Sequence, residues 1–160
     1  MKFSPNQNRS DPHFQDLMLH RVHDIILLAS SYDAFILEED GRLTEQILHE
    51  YLGMNLSYAP RVWKANTAAY AIDLLSRRSV DLVIVMMRIS DMDLITFGMQ
   101  VKKLYKNKPI ILLAFDESEI KQLPENRDQF IDNVFVWSGN SSVFPAIIKY
   151  IEDTKNVKRD

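Results

Sequence analysis

Three short runs of consecutive apolar residues constrain the fold of this chain more than any other feature. They lie at 25–29 (IILLA), within 81–87 (DLVIVMM) and within 109–115 (PIILLAF). A strand of a parallel sheet that is covered on both faces reads as an unbroken apolar run, whereas a half-exposed strand alternates apolar and polar residues. Each run is far shorter than the roughly 18 apolar residues that a membrane-spanning helix needs. The runs therefore predict the central strands of a buried parallel sheet.

Stretches with helical spacing of apolar residues separate these runs. The predicted helices span 40–52, 67–77, 94–105, 118–123 and 141–152, and two shorter, mixed strands are predicted at 60–65 and 134–137. Strands that alternate with helices imply right-handed crossovers and helices on both faces of the sheet. The pattern predicts an α/β, flavodoxin-like, doubly wound five-stranded parallel sheet in the order 2-1-3-4-5, with the two short strands at the edges.

The chain of 160 residues suits one domain with a substantial core. We predict a flexible lead with a short helix at 1–22, a single α/β domain at 23–153 and a polar linker or tail at 154–160. A net charge of −3 gives no reason to expect binding to nucleic acid. The absence of cysteine excludes thiolate chemistry, and the polar N-terminal segment lacks the apolar stretch of a secretory signal. A cytoplasmic protein that does not bind membranes is expected.

Three segments of the chain resemble the receiver domains of two-component response regulators. DLVIVMMRISDMD (81–93) is similar to their third-strand segment, PIILLAF (109–115) to their fourth strand and NVFVWS (133–138) to their fifth. The segments at 30–45 and 85–93 also look like degenerate receiver modules at the N-terminus of multidomain bacterial proteins. Some of those proteins continue into regions similar to phosphoenolpyruvate synthase or pyruvate-phosphate dikinase. The resemblance implies a receiver-like fold over residues 23–153 and a role in signalling.

The same resemblance implies that the phosphorylation site is degenerate. Ser30 and Ser31 replace the family's acidic pair, and Met86 replaces the phospho-acceptor aspartate. Ala114 replaces the hydroxyl residue, Val134 the aromatic switch residue and Trp137 the lysine. A thioether cannot replace the carboxylate that forms an acyl phosphate. Two hydroxyl groups are also poor substitutes for the carboxylates that Mg²⁺ prefers. We expect Met86, Ala114 and Trp137 to form an apolar plug where the family keeps a charged site.

Carboxylates remain near the same edge of the predicted sheet, after the first and third strands. Asp33, Asp91 and Asp93 are candidate ligands of a displaced Mg²⁺ or Ca²⁺ ion. Acidic residues are equally typical of helix N-termini, where the helix dipole favours them. A third interpretation makes Asp91 or Asp93 a relocated phosphate acceptor.

A long first loop, predicted at 30–41, carries large apolar side chains among acidic ones. Tyr32, Phe35, Ile36 and Leu37 form a candidate partner surface, since long ordered loops are often functional. The other interpretation is that they fold back and cover the edge of the sheet.

The sequence thus predicts a non-catalytic pseudo-receiver, a signalling module that acts through protein–protein contacts. Its partner is a separate protein, the downstream domains of the same polypeptide or a second copy of the chain; no cofactor and no enzymatic activity are expected. The alternative is a flavodoxin-like domain that binds a small ligand or a metal at the carboxyl ends of the strands. A nucleotide is disfavoured because the chain lacks a glycine-rich phosphate loop.

Overall fold

The computed structural model of the protein describes residues 21–39, 42–52, 59–137, 139 and 142–159. Five parallel strands form one sheet in the order β2-β1-β3-β4-β5. The strands are β1 (Asp24–Leu28), β2 (Arg61–Ala65), β3 (Leu82–Met86), β4 (Ile110–Ala114) and β5 (Asn133–Val136). The helices are α1 (Ser31–Glu39), α2 (Leu43–Leu52), α3 (Ala68–Arg77), α4 (Leu94–Leu104), α5 (Glu117–Lys121) and α6 (Val143–Arg159), with a 3₁₀ helix at Glu125–Gln129. The predicted fold class and strand order are confirmed.

Each central strand supplies alternate side chains to two apolar layers, one on each face of the sheet. In β3, Ile84 and Met86 belong to the layer that also contains α1, α2 and α6. Val83 and Val85 of the same strand belong to the layer that contains α3 and α4. Every residue of β3 and β4 is buried, as the apolar runs predict. The edge strands β2 and β5 contain exposed residues, also as predicted.

The segment after β1 is a helix, so the prediction of a long loop at 30–41 is wrong for residues 31–39. Helix α1 begins directly after Ser30, whose hydroxyl oxygen accepts a hydrogen bond from the backbone N–H of Asp33 at 3.0 Å. The sequence of this helix lacks the one-sided apolar spacing that predicts a helix, because its large apolar residues lie on more than one face. Phe35 is exposed, for example, whereas Leu37 is fully buried.

Residues just outside the predicted domain limits of 23–153 also make contacts or form helix. Val22 is buried in the core, and its backbone N–H donates a hydrogen bond to Glu152 at 2.9 Å. Helix α6 continues to Arg159, so most of the segment predicted as a linker is helical. The short helix predicted within 1–22 falls largely on residues outside the described ones. No helix in the described part of the chain is long and apolar enough to span a membrane.

Gly98 allows helix α4 to approach the segment that leads into β5. A Cβ atom at this position would lie 2.7 Å from the Cβ atom and 2.8 Å from the carbonyl oxygen of Phe130, which is buried. Both distances are well inside van der Waals contact, and one of the two atoms belongs to the backbone. The close approach therefore depends on the absence of a side chain.

We expect Gly98→Ala to lower the free energy of unfolding by about 1–3 kcal/mol, because the new methyl group must displace Phe130. Gln100→Ala, at an exposed position of the same helix, is the control. Glycine is normally the poorer helix former by up to about 1 kcal/mol, so a stabilised Gly98→Ala variant would contradict the close contact. Urea denaturation followed by circular dichroism measures both variants.

Candidate functional site

The carboxyl ends of β1, β3 and β4 meet at one edge of the sheet, beside the point where the chain reverses its direction of winding. In doubly wound folds this crevice is the usual place for a ligand. Ser30 follows β1, Arg88 follows β3 by two residues, and Phe115 follows β4 directly.

A buried carboxylate of α1 and an arginine from the loop after β3 form the main polar contact at this edge. Asp33 is 1% exposed, and among the described residues it is the one charged side chain that is buried. Arg88 contacts it with two nitrogens, Nη2 at 2.5 Å from Oδ1 and Nε at 3.4 Å from Oδ2. A two-pronged contact of this kind suits the planar guanidinium group. It supplies the counter-charge that a buried carboxylate requires.

The surroundings of Arg88 favour its charged form. Hydrogen bonding to Asp33, and then the charge of Asp33, raise the pKa of Arg88, and the charge of Glu119 acts in the same direction. The guanidinium carbon also lies 5.9 Å from the centre of the Phe115 ring, within the range of a cation–π contact. The side chain of Arg88 is nevertheless 60% exposed, so the pair is open to solvent on the side of the guanidinium group.

The side chains predicted to form an apolar plug lie on the inner side of this edge. Met86 is 1% exposed at the end of β3, and it shares one apolar cluster with the half-buried Trp137. Ala114 is fully buried at the end of β4, and its carbonyl oxygen accepts a hydrogen bond from the backbone N–H of Trp137 at 2.7 Å. Met86 and Leu113 are partners across the β3/β4 ladder. The strand ends in this region are therefore packed with apolar side chains.

The remaining positions of the degenerate phosphorylation site, Ser30, Ser31 and Val134, make hydrogen bonds or apolar contacts within the fold. Ser30 caps α1, and the hydroxyl oxygen of Ser31 accepts a hydrogen bond from the side-chain amide of Asn66 at 3.2 Å. Val134 is half-buried in β5 and packs against the layer formed with α3 and α4.

The candidate metal ligands Asp33, Asp91 and Asp93 are engaged in three separate places. Asp91 accepts hydrogen bonds from the first two backbone N–H groups of α3, those of Ala68 at 2.7 Å and Ala69 at 3.0 Å. Asp93 caps α4 by accepting from the backbone N–H of Thr96 at 2.8 Å and from the Thr96 hydroxyl at 2.9 Å. These bonds lower the pKa of both aspartates. Among the described residues, no three His, Cys, Asp or Glu side chains are grouped so that they could hold a metal ion.

The candidate partner surface is smaller than predicted. Tyr32 and Phe35 are 66% and 61% exposed on the outer side of α1, and Ile36 is half-buried. Leu37 is fully buried in the core, so it does not belong to this surface. The error follows from reading the segment as a loop, because a helix turns Leu37 away from Tyr32 and Phe35.

Sequence reasoning did not identify Arg88 as a residue of this site. The only available signal was its position two residues beyond a buried strand, where a charged side chain lies at the ligand-binding edge of this fold.

The order of the strands and the crevice at their carboxyl ends define the flavodoxin-like fold of receiver domains. The chain aligns with the signal receiver domain of an HD domain-containing protein from Pseudomonas fluorescens Pf-5 at a TM-score of 0.59 and 20% identity, covering 89% of this chain and 95% of that one. A receiver domain protein from Clostridium thermocellum gives a TM-score of 0.63 at 14% identity, covering 85% and 98%. The response regulator TrrA from Thermotoga maritima, in complex with Mg²⁺ and BeF, gives 0.57 at 17% identity, covering 81% and 98%. No protein-family model and no curated protein sequence matches the chain. At these identities the similarity establishes the fold.

Replacing Arg88 by glutamine should lower the free energy of unfolding by about 2–3 kcal/mol, because Asp33 is left buried without its counter-charge. This is the lower part of the range for buried pairs, since the head group of Arg88 is partly in water. Arg77→Gln, which breaks the exposed Arg77–Asp73 pair on α3, should change stability by less than about 0.5 kcal/mol. The double variant Asp33→Asn/Arg88→Gln should recover much of the loss. Equal effects of Arg88→Gln and Arg77→Gln would contradict the role of the buried pair.

Asp91 should make the stability of the protein depend on pH. Its pKa is lower in the folded protein than in the unfolded chain, so its contribution is complete above the unfolded value of about 3.9 and is lost as the pH falls through the folded value. Between pH 5 and about pH 3, the free energy of unfolding should therefore fall less steeply in Asp91→Asn than in the unmodified protein. Denaturant titrations at several pH values measure the two slopes. Identical slopes would exclude a contribution from the contact between Asp91 and α3.

Proposed function

We propose that the chain is a pseudo-receiver, a signalling module of receiver fold that works through protein contacts without being phosphorylated. The observation that carries the proposal is the Asp33–Arg88 pair at the carboxyl ends of the strands. A receiver holds Mg²⁺ and a phosphoryl group at this edge, whereas here a cation and an anion of the chain itself contact each other. A fixed guanidinium group beside the buried carboxylate disfavours a divalent cation at the same place by like-charge repulsion.

The apolar packing of the strand ends supports the same proposal. Met86, buried at the position that the resemblance assigns to the acceptor aspartate, offers no oxygen for phosphoryl transfer. Trp137, at the position of the conserved lysine, supplies a ring to the core in place of an ammonium group. The two replacements suit each other, because both favour a closed apolar end of the sheet over a hydrated ionic one.

Helix α1 is the proposed contact surface for the partner. Tyr32 and Phe35 are exposed on it, and large exposed aromatic side chains are typical anchors of protein interfaces. Because α1 also carries Asp33, a partner that shifts α1 by binding its outer side would change the position of one member of the Asp33–Arg88 pair. The partner we propose is a separate protein or a downstream domain of the same polypeptide, of the kind found in multidomain bacterial proteins with regions similar to phosphoenolpyruvate synthase or pyruvate-phosphate dikinase. A second copy of the chain is the remaining choice.

A small-ligand function is the second candidate, and one groove favours it. The groove has a volume of about 700 Å³ and lies between the loop after β3 and the segment after α5. Its apolar lining includes Met87, Ile89, Met92 and Leu123. Ligand sites typically have volumes of about 300–1,000 Å³, so the groove is large enough for a small apolar ligand.

Titration with Mg²⁺ and then with beryllofluoride, a phosphoryl mimic, tests the pseudo-receiver proposal. We expect no saturable change in the backbone amide NMR signals of Ser30, Met86 and Ala114 at millimolar ligand, because Arg88 already neutralises the carboxylate of Asp33. A Trp63→Phe background leaves Trp137 as the only tryptophan, so its fluorescence reports on the same edge. The Thermotoga maritima regulator, for which a complex with Mg²⁺ and BeF is known, is the positive control.

Saturable shifts at the ends of β1, β3 and β4 in this chain would overturn the pseudo-receiver proposal. Shifts confined to Met87, Ile89 and Leu123 on addition of small apolar compounds would favour the ligand-binding function instead.

A further inference from the structure

A recess of about 340 Å³ lies at the opposite edge of the sheet, where β3 and β4 begin. The turn between α4 and β4 forms one side of it, the residues before β3 form another, and the last helix contributes a lysine. Its lining residues are Val80, Asp81, Tyr105, Lys106, Asn107, Lys108, Pro109 and Lys155.

The charge of this recess is strongly unbalanced. Three of its lining residues, Lys106, Lys108 and Lys155, carry ammonium groups, against the single carboxylate of Asp81. Within the described ranges, no carboxylate oxygen lies within 4.0 Å of any of the three ammonium nitrogens, whereas Lys102, which does not line the recess, pairs with Asp132 at 2.6 Å. The protein as a whole is acidic, with a net charge of −3, so this accumulation of positive charge is local.

Asp81 and Asp132, two acidic residues at this edge, accept hydrogen bonds from the backbone and only partly offset the charge of the lysines. Asp81 Oδ2 accepts hydrogen bonds from the backbone N–H groups of His23 at 2.8 Å and Asp24 at 3.0 Å. Asp132 accepts from the backbone N–H of Ile110 at 2.8 Å as well as from Lys102. Both carboxylates therefore hold strand starts in place, and Asp81 is the one lining carboxylate that offsets the charge of the three lysines.

Lys108 has the most constrained position of the three. It is half-buried, and its ammonium group donates a hydrogen bond to the carbonyl oxygen of Val80. Burial lowers its pKa, the charge of Lys155 acts in the same direction, and the charge of Asp81 opposes both. An anion placed between Lys108 and Lys155 would relieve this repulsion.

We propose that the recess binds a small free anion that carries phosphate groups, such as pyrophosphate or a phosphorylated metabolite. Lysine binds phosphate as a compact point charge with rotatable donors, so several lysines together suit the several oxygens of a phosphate. The side-chain amide of Asn107 and the phenol of Tyr105 add neutral donors to the lining. The volume is near the lower end of the usual range for ligand sites, which fits a small molecule better than a large one.

This site goes beyond the proposed signalling function and can fail independently of it. The strands between the two edges are five residues long, so the edges are separated by about 16 Å. The beryllofluoride experiment reports on the carboxyl ends of the strands, and the following experiment reports on their starts.

The test is an NMR titration of the full chain with inorganic phosphate and with pyrophosphate, at an ionic strength held constant with sodium chloride. We expect saturable shifts of the backbone amides of 105–108, with pyrophosphate binding more tightly than phosphate because it carries more charge. Lys155→Gln should weaken pyrophosphate binding by about fivefold or more, the size of one unit-charge contact in a hydrated site. Lys103→Gln is the matched control, since Lys103 is an exposed lysine of α4 outside the recess.

Three outcomes would overturn the proposal. Shifts that rise linearly without saturation would show only nonspecific attraction to the lysines. An equal loss of affinity in Lys103→Gln and Lys155→Gln would show that the general positive field of the lysines at this edge, and not the recess, attracts the anion. If vesicles that contain phosphoinositides bind the chain but free pyrophosphate does not, the ligand is a lipid head group and the proposed free anion is wrong.

Discussion

The structure depends on one constraint, the need of a parallel sheet to be covered on both faces. The alternating side chains of β1, β3 and β4 are buried in two separate apolar layers, so neither face of the central sheet is available for chemistry. Functional polar side chains near these strands are consequently placed at the two ends of the strands. At the carboxyl ends the chain places the Asp33–Arg88 pair, and at the amino ends it places the lysine-lined recess.

The Asp33–Arg88 pair links the two sides of this layered structure. Asp33 belongs to α1, which packs on one face, and Arg88 belongs to the loop that leads to α4 on the other face. Removing one partner of such a pair is far more costly than the net stability that the pair itself contributes, because the remaining charge is left buried. The pair therefore restricts how α1 and the loop after β3 can move relative to each other more than it increases the total stability. In the proposed pseudo-receiver, this restriction takes the place that a bound metal ion and a phosphoryl group would have.

The sequence was sufficient to predict the fold because the strand signal is local. Each apolar run is complete within five to seven residues, and the strand order follows from general rules of chain connection. The site was harder to predict, because its main contact joins residues 55 positions apart. Nothing in the neighbourhood of Asp33 indicates a cationic partner, and α1 lacks the one-sided apolar pattern that would have identified it as a helix. Only the resemblance to receivers identified Met86, Ala114 and Trp137 as positions of the degenerate phosphorylation site. Their burial has a local reason, because they lie at the ends of buried strands or beside the core.

The loop between β3 and α4 explains why the polar residues of the site have separate roles. Arg88 ties this loop to α1, Asp91 ties it to the first turn of α3, and Asp93 caps α4. Three helices on two faces of the sheet thus depend on seven consecutive residues, 87–93. Carboxylates that are needed as acceptors for backbone N–H groups cannot turn toward a metal ion without leaving a helix end unsatisfied. The same three contacts make the loop after β3 a direct link between α1 on one face of the sheet and α3 and α4 on the other.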